Sequence, residues 1–283
     1  VICARALDFL NTALKTGMAD LIDYVSLHEY TADERLVFEK VASFRALIKH
    51  YNPNIGIIQG ESGSQSRGDG NGALKSGAWT EEIQAKQLAR HTVADLISDV
   101  HFLSYFSCLD MIEALKGDVN DKASYLDYGY FGILRAEFDE DGKSTGEYSQ
   151  KPSYYVLQNI CSVFAEDVNV CEMPVIINSE YTEKVYDVLP SRCELTTGAF
   201  ERKGGKAFAY WKPTNIMTTS YESFIHIQFY SEYETFHVVD IMDGSIYEIP
   251  AEMIENKGDN VYEIKYLPVK DTPLILTFGD FLI

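Results

Sequence analysis

The chain changes its hydrophobic periodicity near residue 170, and this change limits the folds it can adopt. Before that point, short β-rich runs alternate with segments whose apolar residues recur at helical spacing. After it, helical periodicity fades and short runs of alternating apolar and polar residues follow. Strands separated by helices are typical of a parallel sheet, whereas consecutive alternating strands are typical of an antiparallel module. The pattern therefore predicts two domains, over residues 1–168 and 169–283.

The first part contains four predicted strand-and-helix units. Their strands are expected at Val1 to Leu7, Ile22 to His28, Ile55 to Ile58 and His101 to Phe106. A capping box of Thr31 and Glu34 is expected to open the first long helix, because these residue types stand three apart. That helix is predicted to bury Val37, Val41, Phe44 and Ile48, which share one face. Further helices are predicted from Glu81 and from near Pro152.

The second part of the sequence is predicted to be an all-β module. Alternating runs occur at Lys206 to Trp211, Phe224 to Tyr230, Phe236 to Ile241 and Pro273 to Phe278. Asp243-Gly244 between two such runs is a strong hairpin signal. We expect a small antiparallel β-sandwich.

Charge and hydropathy exclude some classes of partner. The formal net charge is −19, and a field of that sign repels phosphate backbones, so nucleic acid is not expected as a partner. No apolar run approaches the ~20 residues that span a bilayer, so no membrane partner is expected either. Neutral sugars are compatible with this charge.

The cysteines show neither a disulfide framework nor a zinc-site spacing. They are scattered and odd in number: Cys3, Cys108, Cys161, Cys171 and Cys193. We predict that they are mostly buried thiols. Unpaired cysteines are more typical of proteins in a reducing compartment, which weakly favours a cytoplasmic location.

Chemistry in an alternating α/β fold is expected where the strands end. Glu61 directly follows an apolar strand, and Gly60 and Gly63 beside it allow close approach of a ligand. The connection that follows is longer than the usual about 2–6 residues, which favours a binding loop. It carries polar and aromatic groups suited to sugars: Gln65, Ser66, Arg67, Asp69, Asn71 and Trp79. On these residues alone, Glu61 is either a catalytic carboxylate or a carboxylate that caps a helix or faces solvent.

His28 and Tyr30 end the preceding strand. A Tyr hydroxyl there could donate to a neighbouring carboxylate and favour its ionised form, and a His could bind a substrate hydroxyl. The alternative is a core histidine and a rim tyrosine. No other His or Cys stands at ligand spacing from His28 and Glu29, so no metal is expected.

Several of these motifs, in this order, resemble clan A glycoside hydrolases. Ile22 to Tyr30 resembles the sixth barrel strand of the clan, and Gly56 to Gly63 resembles the seventh, whose terminal Glu is the nucleophile. Further likenesses follow along the chain: Gln84 to Arg90 resembles the next helix, and Tyr130 to Arg135 with Lys151 to Tyr155 resembles the eighth unit.

The resemblance implies an α/β plus all-β protein. The implied fold is a partial (β/α)8 TIM barrel, comprising about the last four βα units, followed by a small antiparallel β-sandwich. The implied reaction is retaining double displacement on β-linked sugars, with no cofactor. Glu61 would be the nucleophile, and the substrate-binding residues would be His28, Tyr30, Gln59, Gln65, Trp79 and Tyr105. Phe106 is an alternative to Tyr105 as an aromatic platform.

One catalytic group of the clan has no counterpart in this sequence. The clan's acid/base Glu ends the fourth strand, usually after an Asn, and Val1 to Leu7 counts as the fifth. We therefore expect the acid/base upstream of residue 1, and the N-terminal half of the barrel is a candidate partner. Two other hypotheses stay open: a non-catalytic carbohydrate-binding or scaffold protein, and a different barrel enzyme that uses Glu61 as a base.

Overall fold

The computed structural model describes residues 1–68, 73–74, 76–113, 127–139, 142–165, 167–178 and 194–282. These residues form a mixed α/β chain that divides into two compact units, Val1–Leu157 and Gln158–Ile283. The predicted domain boundary at 168/169 stays a prediction. The described part of the chain contains four α-helices: α1 Leu7–Lys15, α2 Arg35–Tyr51, α3 Glu81–Ile97 and α4 Pro152–Val163.

The first unit is built on a parallel sheet. Its strands are β1 Ile2–Cys3, β2 Tyr24–His28, β3 Gly56–Ser62, β4 Leu103–Tyr105, β5 Met111–Glu113, β6 Asp127–Gly129, β7 Leu134–Phe138 and β8 Ser144–Gln150. Strands β1 to β4 lie side by side in sequence order, and each neighbouring pair is parallel. Two antiparallel pairs, β5 with β6 and β7 with β8, complete the described strands of this unit.

Apolar periodicity explains how the helices cover the parallel sheet. Helix α2 buries Val37, Val41, Phe44 and Ile48, as predicted, and they share one core with Ile57 of β3. A side chain at every third or fourth position of a helix faces the same side, so this stripe packs against the sheet.

Two local predictions at this end of the chain are wrong. The expected strand from Val1 to Leu7 is only Ile2–Cys3, because α1 begins at Leu7 and buries Leu10 at helical spacing. The expected capping box is not formed, since Glu34 makes no side-chain cap hydrogen bond. Its carboxylate instead pairs with Arg90 of α3 at 2.8 Å, where both side chains are buried.

The second unit contains two antiparallel sheets. Its strands are β9 Asn169–Cys171, β10 Val175–Asn178, β11 Thr196–Arg202, β12 Gly205–Trp211, β13 Glu222–Tyr230, β14 Phe236–Asp240, β15 Ser245–Glu248, β16 Ile254–Gly258, β17 Val261–Lys270 and β18 Leu274–Gly279. One sheet has the order β10-β13-β17-β16, and the other has the order β15-β14-β18-β12-β11-β9. Side chains from both sheets, among them Ile227 and Leu276, meet in one hydrophobic core.

The hairpin predicted at Asp243-Gly244 is confirmed. Strands β14 and β15 pair antiparallel across it, from Asp240 opposite Ser245 outward. Gly244 adopts a φ of 77°, a left-handed conformation that glycine takes without a steric penalty. Among the described helices, none combines the length and apolar character that crossing a membrane requires.

The prediction of mostly buried thiols is wrong for the described cysteines. Cys3, Cys108 and Cys161 are exposed, Cys171 is half-buried, and none of these four forms a disulfide. Cys193 lies outside the described residues, as do Asp69 and Asn71 of the predicted binding loop.

Candidate active site at the carboxyl ends of two parallel strands

Two adjacent parallel strands bring the predicted site residues together. In the register of β2 and β3, His28 is the partner of Glu61, at the carboxyl end of both strands. Parallel strands end at the same edge of a sheet, and functional groups of α/β barrels collect at that edge. The fold therefore places these two side chains, far apart in sequence, beside each other.

Glu61 is held by two ring side chains. The Tyr30 hydroxyl donates to Glu61 Oε1 at 2.7 Å, and His28 Nε2 lies 3.3 Å from the same oxygen. Side-chain exposures of 39% for Glu61 and 38% for His28 leave this group open to solvent. A hydrogen bond from a phenol to a carboxylate fixes the direction of that carboxylate. The arrangement can present an oriented carboxylate to an electrophile.

Gln59 lies beneath this group rather than in the open cleft. It is fully buried, and its Oε1 accepts the backbone N–H of Glu29 at 3.2 Å. The same N–H lies 3.2 Å from the backbone oxygen of Glu61, so the ends of β2 and β3 are tied together there. The Glu29 carboxylate forms an ion pair with Lys40 of α2.

The loop residues Gln65 and Trp79 are also buried. Gln65 donates from Nε2 to the oxygen of Arg67 at 2.8 Å, and Trp79 donates from Nε1 to the oxygen of Leu74 at 2.8 Å. Both contacts stay within the connection between β3 and α3. With Trp79 only 3% exposed, its ring is packed inside the fold and offers no open face to a sugar.

Tyr105 lies on β4 and contacts the same connection. Its hydroxyl donates to the backbone oxygen of Ser64 at 3.5 Å, and burial raises the pKa of the phenol to about 12. Its neighbour Phe106 packs edge-on against Phe131, which in turn packs edge-on against Tyr30. Phe106 therefore belongs to an aromatic cluster that reaches the Glu61 site.

Sequence reasoning missed a buried ionic group in this unit. Lys151 Nζ donates to Asp110 Oδ1 at 2.6 Å and to Ser66 Oγ at 2.9 Å, and the lysine and aspartate side chains are each 1% exposed. Burial lowers the pKa of Lys151 and raises the pKa of Asp110, and their mutual attraction opposes both shifts. Lys151 entered the sequence argument only through a family motif, and Asp110 follows no pattern that could have revealed it.

A second missed residue is Gln84 on α3. Its Nε2 donates to the backbone oxygen of Ser64 at 2.9 Å, and its Oε1 accepts the hydroxyl of Ser153 at 3.0 Å. It therefore links the loop after β3 to the start of α4. Gln84 entered the sequence argument only as the first residue of the helix motif Gln84 to Arg90.

No group of three or more His, Cys, Asp or Glu side chains suited to a metal ion occurs within the described ranges.

Comparison with known proteins gives matches at the level of structure. No family model matches the sequence, and no curated protein matches it. A GH30 endoxylanase from Clostridium papyrosolvens superposes with a TM-score of 0.50 at 7% identity, covering 98% of this chain and 55% of the enzyme. A family 51 α-L-arabinofuranosidase from Bifidobacterium longum gives a TM-score of 0.48 at 10% identity, covering 98% of this chain and 58% of that one.

A family 5 glycoside hydrolase from Bacteroides vulgatus gives a TM-score of 0.41 at 10% identity, covering 87% of this chain and 46% of that one. The chain thus spans about half the length of the solved structures it matches. Its fold is glycosidase-like, at low sequence identity.

Proposed function

We propose that the chain is the C-terminal part of a retaining glycoside hydrolase that acts on β-linked sugars. The observation that carries this proposal is the 2.7 Å hydrogen bond from Tyr30 to Glu61, with His28 beside it, at the carboxyl ends of neighbouring parallel strands. The likeness in fold to a GH30 endoxylanase supports it. In this proposal, β1 to β4 are the last four strands of a (β/α)8 barrel, and the two antiparallel sheets are the β-sandwich.

Glu61 is the nucleophile in the proposed reaction. Its free carboxylate oxygen attacks the anomeric carbon, the bond to the leaving oxygen breaks, and a covalent glycosyl-enzyme forms. A carboxylic acid about 5–5.5 Å away protonates the leaving oxygen and then removes a proton from the water that releases the sugar. We assign that acid to the preceding part of the barrel. Tyr30 holds Glu61 in its attacking direction throughout.

We assign the substrate contacts from the exposure and position of each side chain near Glu61. His28 is half-open beside Glu61, so we propose that it binds a substrate hydroxyl. Phe106 belongs to the aromatic cluster beside Tyr30, and we propose it as the platform under the sugar. Gln59, Gln65 and Trp79 are buried, so their proposed role is to hold the strand ends and the loop in place.

Hydrolysis of activated aryl β-glycosides tests the nucleophile. A good leaving group needs little protonation, so residual turnover is expected even without the acid. Glu61→Gln should abolish this turnover, and Glu82→Gln, the same change at an exposed position on α3, should not. Mass spectrometry after reaction with a fluorinated glycoside should find the sugar attached to the peptide that contains Glu61. Equal turnover in Glu61→Gln would refute the assignment.

A non-catalytic carbohydrate-binding protein is the second candidate. It is favoured by the contacts of Glu61, which in the described part of the chain are to a phenol and an imidazole and include no second carboxylate. Calorimetric titration with β-linked oligosaccharides separates the two candidates. Binding without turnover of any aryl glycoside supports this second candidate, and turnover that depends on Glu61 excludes it.

A further inference from the structure

The first unit contains a cavity of about 370 Å³ that the proposed reaction does not use. Its walls include Ser66, Arg67, Asp110, Tyr130, Arg135 and Glu137. None of His28, Tyr30 and Glu61 is among the side chains described as lining it. We call this space the Asp110 cavity. Its volume lies at the lower end of the range of about 300–1,000 Å³ found for small-molecule sites.

Asp110 gives the cavity an unused acceptor. Its Oδ1 accepts Lys151 Nζ at 2.6 Å and the backbone N–H of Gly132 at 2.9 Å. Its Oδ2 is buried and has no hydrogen-bond partner among the described residues. A buried carboxylate oxygen without a donor costs free energy, so a ligand that offers an O–H or N–H there is favoured.

Both arginines of the cavity wall are already held by other residues that line it. Arg135 makes three hydrogen bonds of 2.6–2.9 Å to Glu81, another lining residue, and it also reaches Ser149. Arg67 lies 4.3 Å from the centre of the Tyr130 ring and donates to the Tyr130 hydroxyl at 2.7 Å. The charge of Arg135 is therefore offset by Glu81, whereas Arg67 is held by a neutral phenol.

The charges at the cavity also balance in number. The carboxylates of Glu81, Asp110 and Glu137 face Arg67 and Arg135, and Lys151 lies directly behind Asp110. A phosphate or a carboxylate would meet these acidic groups, and an amine would meet the two guanidinium groups. Hydroxyl groups suit such a wall best, because each can both donate and accept.

We propose that the Asp110 cavity binds a neutral polyhydroxylated molecule the size of a single sugar ring, with Asp110 Oδ2 accepting one of its hydroxyls. The Tyr130 hydroxyl and the charged side chains of the wall supply the remaining polar contacts. This site is separate from the Glu61 chemistry, and it does not require that the proposed function be correct.

Nuclear magnetic resonance of the full chain tests the proposal, with methyl β-glucoside as the probe. Saturable shifts of the Gly132, Arg135 and Ala136 amides are expected at millimolar probe. Asp110→Asn removes the charged acceptor and should weaken binding about fivefold or more. Glu147→Gln changes an exposed carboxylate on β8 that is not among the lining residues, and this variant should bind the glucoside as the wild type does. Glu61→Gln should also leave these shifts intact.

A cavity-filling variant covers the case in which Asp110→Asn does not fold. Ala136→Leu places extra volume in the wall and should abolish the shifts, whereas the matched Glu147→Leu should not. Circular dichroism confirms folding of each variant. The proposal fails if folded Asp110→Asn or Ala136→Leu binds as the wild type does, or if inorganic phosphate or methylammonium produces the shifts and the glucoside does not. Shifts confined to residues 28–30 and 59–61 would refute it as well.

Discussion

Lys151→Met should destabilise the first unit through one buried carboxylate. Lys151 and Asp110 lie 2.6 Å apart, and each side chain is 1% exposed. Methionine keeps the length and apolar stem of lysine but removes the ammonium group. The variant therefore leaves Asp110 buried without its counter-ion, and among the described residues only the N–H of Gly132 still donates to its carboxylate.

The size of the effect follows from the geometry. Two charges 2.6 Å apart attract by about 6 kcal/mol at an effective dielectric constant of about 20, before the cost of burying them is subtracted. Removing one partner of a buried pair costs about 3–5 kcal/mol. Burial already raises the pKa of Asp110, so the acid can escape part of the penalty by taking up a proton. We expect a loss near 3 kcal/mol at neutral pH.

The two tryptophans allow the effect to be assigned to one unit. Trp79 lies in the first unit and Trp211 in the second. Urea unfolding followed by fluorescence in a Trp211→Phe background reports Trp79 alone. The urea concentration at the midpoint of that transition should be lower in Lys151→Met. The midpoint reported by Trp211, measured in a Trp79→Phe background, should fall by less.

The pH dependence and a double variant make the prediction refutable. A carboxyl with a folded-state pKa raised above its ordinary 3.8 contributes stability at low pH that is lost as pH rises through the folded value. The deficit of Lys151→Met should therefore shrink as pH falls towards 4. Asp110→Leu with Lys151→Met should recover to within about 1 kcal/mol of wild type, since no lone charge stays buried. If the loss of stability does not change with pH and persists in the double variant, lost packing and not a lone buried charge is its cause.

Three further variants test other contacts. Tyr30→Phe should slow turnover of an activated aryl glycoside by about tenfold or more, because Glu61 loses a charge-assisted hydrogen bond, and unchanged kcat would contradict this. Gly63→Ala should cost about 1–3 kcal/mol in urea unfolding, since its Cβ would clash with the backbone oxygen of Phe106. Tyr105→Phe should reduce the loss of thermal stability between pH 10 and 12, because the phenol has a folded pKa of about 12 against an ordinary 10.

Elements with a strong local period could be predicted from the sequence. The buried stripe of α2 and the hairpin at Asp243-Gly244 follow from spacing and turn chemistry within a few residues. The approach of His28 and Tyr30 to Glu61 was also predictable, because neighbouring parallel strands end at one edge. Each of these inferences needs only local pattern and one rule of sheet geometry.

Partners that lie far apart in sequence could not be predicted in this way. Glu34 fits a capping box by spacing, yet its carboxylate pairs with Arg90, a residue of another helix. The buried pair of Asp110 and Lys151 likewise depends on how strands and loops pack. The local sequence determines which kinds of contact a side chain can make. The tertiary fold determines which partner lies within its reach.

The same reasoning separates the two carboxylates at the strand ends. Glu29 directly follows β2 and Glu61 lies near the end of the adjacent β3, but the Glu29 carboxylate is 23% exposed and paired with the ammonium of Lys40. Glu61 is 39% exposed and is held by a phenol and an imidazole. A carboxylate bound to an ammonium group must break that pair before it can attack, whereas one oriented through a single oxygen keeps its other oxygen available. If either residue is a nucleophile, the geometry favours Glu61, and Glu29→Gln should leave aryl glycoside turnover more active than Glu61→Gln does.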